Sequence, residues 1–185
     1  SVLDAGSGEG YYLRHLSAVA GDTGLALIGV DISKWAVLAA AKQDKQTRWV
    51  VGSNANLPVL PESLDLVLCL FGFPVYSEFA RVLKPGGQVI QVDAGADHLR
   101  ELREVIYPEV KPPGDFESAA PEGFRQLDST VVRFPLTLPD QASIADLLAM
   151  TPHLYRASAE GLERAAALES LEVTVDATLK RFEKL

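Results

Sequence analysis

Glycines and an acid near the start of the chain are spaced in a way that suits a nucleotide-like ligand. The run Asp4-Ala5-Gly6-Ser7-Gly8-Glu9-Gly10 lies between the end of a predicted strand, at Val2-Leu3, and the start of a predicted helix. Glycine has no Cβ, so the backbone can turn sharply and approach a ligand, and the helix start offers unpaired N–H groups. Taken alone, the run is equally compatible with an ordinary tight turn.

The spacing of this run argues against a dinucleotide. A dinucleotide turn begun at Gly6 would need a third glycine at position 11, which is Tyr11. A second acid, Asp31, closes the next predicted strand, where this kind of fold presents a carboxylate to ribose hydroxyls, although an acid there can also cap a helix. Two acids without a phosphate clamp indicate a ligand with a ribose and positive charge, and S-adenosylmethionine has both.

Short apolar runs alternate with helical patterns over residues 1–93, which is typical of β-α-β units and a parallel sheet. Pro and paired Gly predict a turn at 84–87. Beyond the first strand, further strands are predicted at 25–30, 48–51, 64–70 and 88–92, and helices at 11–21, 34–42 (with Ser33 as N-cap) and 78–83.

The second half of the chain, 94–185, is less regular. Four prolines and two glycines make 108–123 a loop, and an alternating pattern over 173–179 predicts a half-exposed last strand at a sheet edge. A strand is also expected around 131–136, and helices at 98–106, 144–150 and 161–168. We expect one domain over 1–185, with a cofactor-binding half (1–93) and a substrate-side half (94–185).

Composition excludes several function classes. The 185 residues are 48% hydrophobic, and charges interrupt every apolar run before the length that crosses a bilayer. The formal charge of −8 argues against a strong nonspecific grip on nucleic acid. A single cysteine, Cys69, excludes an internal disulfide and a multi-cysteine zinc site, and no leader-like segment opens the chain. We expect a cytoplasmic protein.

Four motifs together resemble the class I S-adenosylmethionine-dependent methyltransferases. They are the glycine run at 4–10, Gly29-Val30-Asp31-Ile32-Ser33, Leu57-Pro58 with Ser63-Leu64-Asp65-Leu66-Val67, and Arg81-Val82-Leu83-Lys84-Pro85-Gly86-Gly87. The second half narrows the resemblance to the 23S ribosomal RNA (guanine-N1) methyltransferase family. It does so through His98-Leu99 with Glu101-Leu102, Ile106-Tyr107 with Glu109-Val110, and Met150-Thr151-Pro152 with Arg156-Ala157.

The resemblance implies a doubly wound α/β fold: a mostly parallel, seven-stranded Rossmann-like sheet with an antiparallel edge strand. It also implies methyl transfer to guanine N1 in a ribosomal RNA hairpin, and an N-terminal zinc-binding module that helps to hold RNA. That module is absent from this chain, which we therefore expect to be part of a longer protein that binds S-adenosylmethionine but grips ribosomal RNA weakly. Zinc is expected only in that module, and a second copy of the chain is a candidate partner.

The resemblance also assigns cofactor-binding residues. Asp4, Gly6 and Gly8 would line the methionine end of the cofactor, Asp31 would bind the ribose and Ile32 would pack on adenine. Ser53 and Asn54 stand where many relatives have an acid followed by a small residue beside the adenine edge, and Leu70 and Phe71 would flank the transferred methyl group. Ile32 and Phe71 could instead be ordinary core residues.

The substrate side is less determined by the sequence. Many amino-methyltransferases carry an acid or amide before a Pro-Pro-aromatic run, and Phe71-Gly72-Phe73-Pro74 lacks it, so the base for the guanine N1 proton is unassigned. His98 is the candidate, with a surface role as the alternative. Phe73 could stack on a guanine or pack in the core. Tyr155 and Arg156 could contact RNA; alternatively, Tyr155 is a core residue and Arg156 forms a salt bridge.

Two other functions stay open at this point. The acidic balance and the 57–67 loop, which is shared with quinone-biosynthesis methyltransferases, also suit a small-molecule C- or O-methyltransferase. The missing acid or amide after the fourth strand would suit a noncatalytic cofactor-binding domain.

Overall fold

The computed structural model describes residues 1–21, 24–110 and 119–185. The strands are β1 (Val2–Ala5), β2 (Leu27–Asp31), β3 (Arg48–Val51), β4 (Leu64–Leu70), β5 (Leu83–Ala94), β6 (Phe124–Leu138) and β7 (Leu171–Lys184). The helices are α1 (Tyr11–Ala20), α2 (Lys34–Gln43), α3 (Tyr76–Val82), α4 (Arg100–Ile106), α5 (Gln141–Ala149) and α6 (Ala159–Ala166), with a 3-10 turn at Pro152–Tyr155. Helices follow β1, β2 and β4, whereas β3 is joined to β4 by a loop with no helix.

Within the described ranges, seven strands form one sheet in the order β3-β2-β1-β4-β5-β7-β6. Strands β3, β2, β1, β4 and β5 run parallel to one another, and β7 and β6 form an antiparallel edge of the sheet. This confirms the doubly wound α/β fold. Strand order reverses between β1 and β4, and in such sheets ligands bind beyond the carboxyl ends of the strands at this point.

The chain divides into two compact units, each with its own buried core. The first contains the described residues of Ser1–Asp93, Ser118–Thr130 and Leu179–Leu185. Leu3, Val30, Val67 and Phe79 are fully buried in its main cluster, because parallel strands covered on both faces bury nearly every side chain.

The second unit contains the described residues of Ala94–Glu117 and Val131–Thr178. Its core packs α4, α5 and α6 through Leu102, Ile106, Ile144 and Ala165. Gly161 lies so close to the Ile106 carbonyl that a side chain there would overlap it, and this lets α6 approach α4. The expectation of one domain over 1–185 stays a prediction.

Several element predictions are confirmed and two need correction. Ser33 caps α2 by accepting a hydrogen bond from the Ala36 N–H at 3.3 Å. The last strand, β7, is not at the edge as predicted: it lies between β5 and β6, and β6 forms the edge. The predicted turn at 84–87 is a bulge inside β5, because the register skips from Leu64↔Leu83 to Leu66↔Gln88.

Of the proline-rich loop at 108–123, the described residues lie outside any helix or strand, and 111–118 lie outside the described residues. No helix in the described part of the chain is long and apolar enough to cross a membrane.

Candidate active site

The predicted cofactor residues of the first unit lie where β1, β2 and β4 end. Asp4 is in β1, Asp31 is the last residue of β2, and Leu70 is the last residue of β4. In register, Asp4 pairs with Gly29 of β2 and Leu68 of β4. The strand order therefore brings these residues to the β1–β4 switch point.

The glycine turn that follows β1 is held open by its backbone conformation. Gly6, Gly8 and Gly10 have φ values of 93°, 52° and 78°, in the left-handed region that favours glycine. The N–H groups of Gly6 and Ser7 both donate to the Val30 carbonyl, at 2.8 and 3.0 Å. A Cβ placed on Gly6 or Gly8 would meet no described atom within 4 Å, so space for a ligand lies beside both residues.

Trp49 supports this turn, although no sequence motif marks it. Its ring lies against Gly10 and against Gly29, its register partner across β2 and β3, and a Cβ on either glycine would overlap the ring. The indole N–H donates to the Asp44 carbonyl at 3.0 Å, which fixes the ring plane. The signal available in the sequence was a large aromatic residue on one strand and a glycine on its neighbour, but it is readable only once the register is known.

Asp4 is a buried acid without a full set of partners. It is 1% exposed, and its Oδ2 atom accepts no hydrogen bond from any described residue. Burial, and secondarily the charge of Asp31, raises the pKa of the Asp4 carboxyl to about 7. The Oγ of Ser7 in the same turn is also buried without a described partner. Buried polar atoms are normally paired, so these two mark a place where a polar ligand would complete the site.

Asp31 is oriented by two backbone N–H groups. Its Oδ2 accepts from Gly8 at 2.8 Å and its Oδ1 from Ser33 at 2.7 Å. It therefore ties the glycine turn to the start of α2, while Ser33 acts as the N-cap, so the alternative that Asp31 is merely a helix cap is wrong. Each carboxylate oxygen keeps a further lone pair, which suits hydroxyl donors.

Ile32, Ser53 and Asn54 continue the site beyond β2 and β3. Ile32 is 79% exposed, so the alternative that it is a core residue is wrong. Ser53 accepts the Ala55 N–H at 3.2 Å, and the Asn54 side-chain amide donates to the Phe73 carbonyl at 3.2 Å. The loop after β3 is thereby fixed to the turn after β4.

The turn after β4 presents two aromatic rings. Phe71 has a φ of 54°, a strained conformation for a residue with a side chain, and its N–H donates to the Val92 carbonyl at 2.8 Å. Phe71 is half-exposed and Phe73 is 85% exposed, so neither is a core residue. Leu70 is partly buried at the strand end.

The remaining predicted residues, His98, Tyr155 and Arg156, belong to the second unit. The Nδ1 of His98 lies 3.2 Å from the Asp176 backbone N–H and accepts from it, and burial lowers the pKa of the imidazole. In this arrangement the neutral ring carries its proton on Nε2. Tyr155 is 86% exposed, so the core alternative is wrong, and Arg156 is exposed with no ion pair among the described residues.

The residues of the first unit fit a nucleoside with a cationic side chain. A carboxylate with free lone pairs, an exposed aliphatic side chain and a buried unpaired acid suit a ribose, an adenine and an ammonium group, respectively. Among the described residues, no group of three or more His, Cys, Asp or Glu could hold a metal ion. Cys69 is buried, and burial raises the pKa of its thiol to about 12, so it is not a ready thiolate.

Comparison with known proteins agrees with this assignment. Residues 2–87 match a family model described as "Methyltransferase domain". A Bacillus subtilis protein named "Putative 23S rRNA (guanine-N(1)-)-methyltransferase YxjB" is 35% identical over 184 residues, which is 95% of this chain and 64% of that protein. An Oceanobacillus iheyensis demethylmenaquinone methyltransferase is 34% identical over 58% of this chain and 50% of its own length.

The chain thus spans less than two thirds of the length of each of these relatives. Among solved structures, the YcgJ protein of Bacillus subtilis has the same fold, with a TM-score of 0.59 at 22% identity over 99% of this chain and 91% of that one.

Proposed function

Because the chain belongs to the class I S-adenosylmethionine-dependent methyltransferases, we propose that it transfers a methyl group to N1 of a guanine in 23S ribosomal RNA. The observation that carries the RNA assignment is the extent of the similarity to the Bacillus subtilis relative, which covers 95% of the chain. The similarity to the quinone methyltransferase covers only 58%. Cofactor motifs are common to both classes, so similarity beyond them argues for the RNA substrate.

In this proposal the first unit holds the cofactor. Asp31 accepts hydrogen bonds from the ribose hydroxyls. Ile32 packs on the adenine, and Ser53 and Asn54, which follow β3, lie beside the adenine edge. Gly6 and Gly8 leave room for the methionine end, and the Asp4 carboxylate balances its positive charge. The bound cofactor would supply a methyl group on a sulfonium, whose sulfur keeps the electron pair and leaves as a neutral thioether, so no covalent protein intermediate is needed.

The chain's contribution to the transfer is then positioning and exclusion of water. Leu70 and Phe71 would flank the methyl group, and the exposed ring of Phe73 would stack on the guanine. Guanine N1 loses a proton during the attack, and a donor to the guanine carbonyl would favour that loss. His98 is our candidate for this work, with its Nδ1 accepting from the Asp176 N–H.

The test is tritium transfer from labelled S-adenosylmethionine to 23S ribosomal RNA, followed by nuclease digestion and identification of the labelled nucleoside. We expect label in 1-methylguanosine. Asp31→Ala should abolish transfer, whereas Arg48→Gln, an exposed change away from these residues, should retain it. Cofactor binding without transfer to any ribosomal RNA would overturn the RNA assignment.

A second candidate is supported by the demethylmenaquinone methyltransferase relatives, whose similarity covers 58% and 49% of the chain. In the same assay, a small quinol or phenol would then compete with RNA as the methyl acceptor. Preferential methylation of the small acceptor would establish this candidate in place of the first.

A further inference from the structure

Two arginines of the second unit lack the ion pairs that its other arginines make. Arg100, Arg133 and Arg164 each contact a carboxylate, at 2.8 to 2.9 Å. Over the described residues, Arg103 and Arg156 have no such partner, although acids outnumber bases in the chain by 25 to 17. In an acidic protein, cations left without a carboxylate indicate a place for an external anion.

Both arginines lie close enough to His153 for their charges to act on its imidazole. Arg103 and Tyr107 lie one helical turn apart, with the Tyr107 N–H bonded to the Arg103 carbonyl at 2.9 Å. The Tyr107 hydroxyl lies 2.9 Å from Nδ1 of His153, and the Arg156 N–H donates to the His153 carbonyl at 3.1 Å. We call Arg103, His153 and Arg156 the basic cluster.

The groups that act on His153 are cationic or neutral. They are Arg103 and the Tyr107 hydroxyl from α4, His98 from the turn before α4, and Arg156 from its own segment. Burial first, and then the charges of the two arginines, lower the pKa of the His153 imidazole. The side chain is therefore neutral at pH 7, and a bound anion would favour its protonation.

The Arg103 guanidinium is held in place by a hydrogen bond, but not all of its N–H donors have a partner among the described residues. Its Nη2 donates to the Ala96 carbonyl at 2.6 Å, while its buried Nε has no partner among the described residues. A guanidinium positioned by one hydrogen bond loses little further freedom when it binds an anion.

We propose that the basic cluster binds a phosphodiester group of the RNA substrate. The inference rests on the proposed function and adds a substrate contact within the second unit. Guanidinium groups match phosphate geometry, Arg156 is exposed, and the neighbouring Tyr155 offers an exposed ring to an unpaired base. Phosphate contacts fix the position of the RNA, and base contacts then select the nucleotide.

The test measures binding of a fluorescein-labelled RNA hairpin by anisotropy at several salt concentrations. Arg156→Gln should weaken affinity about 3- to 10-fold and reduce the salt slope by about one, because one phosphate contact is lost. Arg156→Lys should recover part of the affinity. Arg48→Gln removes the same charge from an exposed site in the first unit and should leave affinity unchanged.

Measuring RNA affinity at several pH values distinguishes a defined phosphate site from nonspecific electrostatic attraction. Wild-type affinity should rise as the pH falls from 8 to 6, because phosphate favours protonated His153, and His153→Gln should remove most of this rise. Inorganic phosphate at constant ionic strength should compete with the hairpin if the group recognised is phosphate itself.

Equal losses from Arg156→Gln and Arg48→Gln, or no loss from either, would overturn the site, as would failure of the wild type to bind the hairpin. Methyl transfer to RNA that persists unchanged in Arg156→Gln would leave the proposed function intact while removing the site. Conversely, a phosphate-competed contact that depends on Arg156, in a protein that never methylates RNA, would remove the function and keep the site.

Discussion

Two of the turns that lead from a parallel strand into a helix, those after β1 and after β5, treat their polar groups in opposite ways. In the turn after β1, Asp4 and Ser7 bury oxygens without described partners, and the space beside Gly6 is open. In the turn after β5, residues 95–99, Asp176 accepts the Gly95 N–H on its backbone carbonyl and the Asp97 N–H on its carboxylate, at 2.8 and 3.0 Å.

The difference shows how a ligand site can be told from a structural turn. Asp4 and Asp176 are both buried acids, but in the described part of the chain Asp176 accepts backbone N–H groups and the Oδ2 of Asp4 accepts none. A Cβ on Gly6 would meet no atom of the described residues within 4 Å, whereas one on Gly95 would overlap the Asp176 carboxylate. The first turn leaves unpaired oxygens and room for a ligand, and the second is closed by the chain itself.

The largest expected effect concerns the pH dependence of stability. Burial raises the pKa of Asp4 to about 7, so between about pH 4 and pH 7 the folded wild type keeps a proton that the unfolded chain has released. The free energy of unfolding therefore decreases as the pH rises through this range. Asp4→Asn should lack this loss, which amounts to about 4 kcal/mol. Urea unfolding of both proteins at pH 4.5, 6 and 8 measures it, and parallel pH profiles would contradict the assignment.

The glycines of the two turns should separate stability from cofactor binding. Gly95→Ala should lower the free energy of unfolding by about 1 to 3 kcal/mol through overpacking and leave cofactor affinity unchanged. Gly6→Ala should cost about 1 kcal/mol for its left-handed backbone but weaken S-adenosylmethionine binding about tenfold, because its Cβ enters the open space beside the turn. Urea unfolding and calorimetric titration distinguish them, and the reverse pattern would break the comparison.

Much of this comparison could be predicted from sequence, and the rest depends on long-range register. The bounds of β3 and β4, the Ser33 cap and the Asp4-to-Gly10 turn follow from local patterns. Trp49 under the glycine turn could not be predicted, because its contact with Gly10 joins β3 to the turn after β1. The bulge at 84–87 depends on how β5 pairs with β4, and hydrophobic alternation does not encode that pairing.

Cofactor binding should also be linked to protonation of Asp4. A cationic ligand favours the ionised carboxylate, so affinity should rise up to about tenfold per pH unit from pH 5.5 and level off above about pH 7. Asp4→Asn should remove the dependence. Calorimetry in buffers of different ionisation enthalpy would detect the released proton, and wild-type affinity that is flat across this range would contradict the link.

The smallest effect is expected at the closed turn. Asp176→Asn keeps an oxygen for the Asp97 N–H but loses the charge that faces Arg133, whose Nη1 lies 3.9 Å away, so unfolding should become about 1 kcal/mol easier. Cofactor affinity should not change. Thermal melting and titration together check this, and a loss of cofactor binding would mean that the second turn also serves the ligand.

The most direct test of the ligand assignment is a crystal structure of the chain grown with S-adenosylhomocysteine. The account predicts ribose hydroxyls within hydrogen-bond distance of Asp31 and the amino-acid end of the ligand beside Gly6 and Gly8. Ligand density at any other place, or none at saturating concentration, would contradict it.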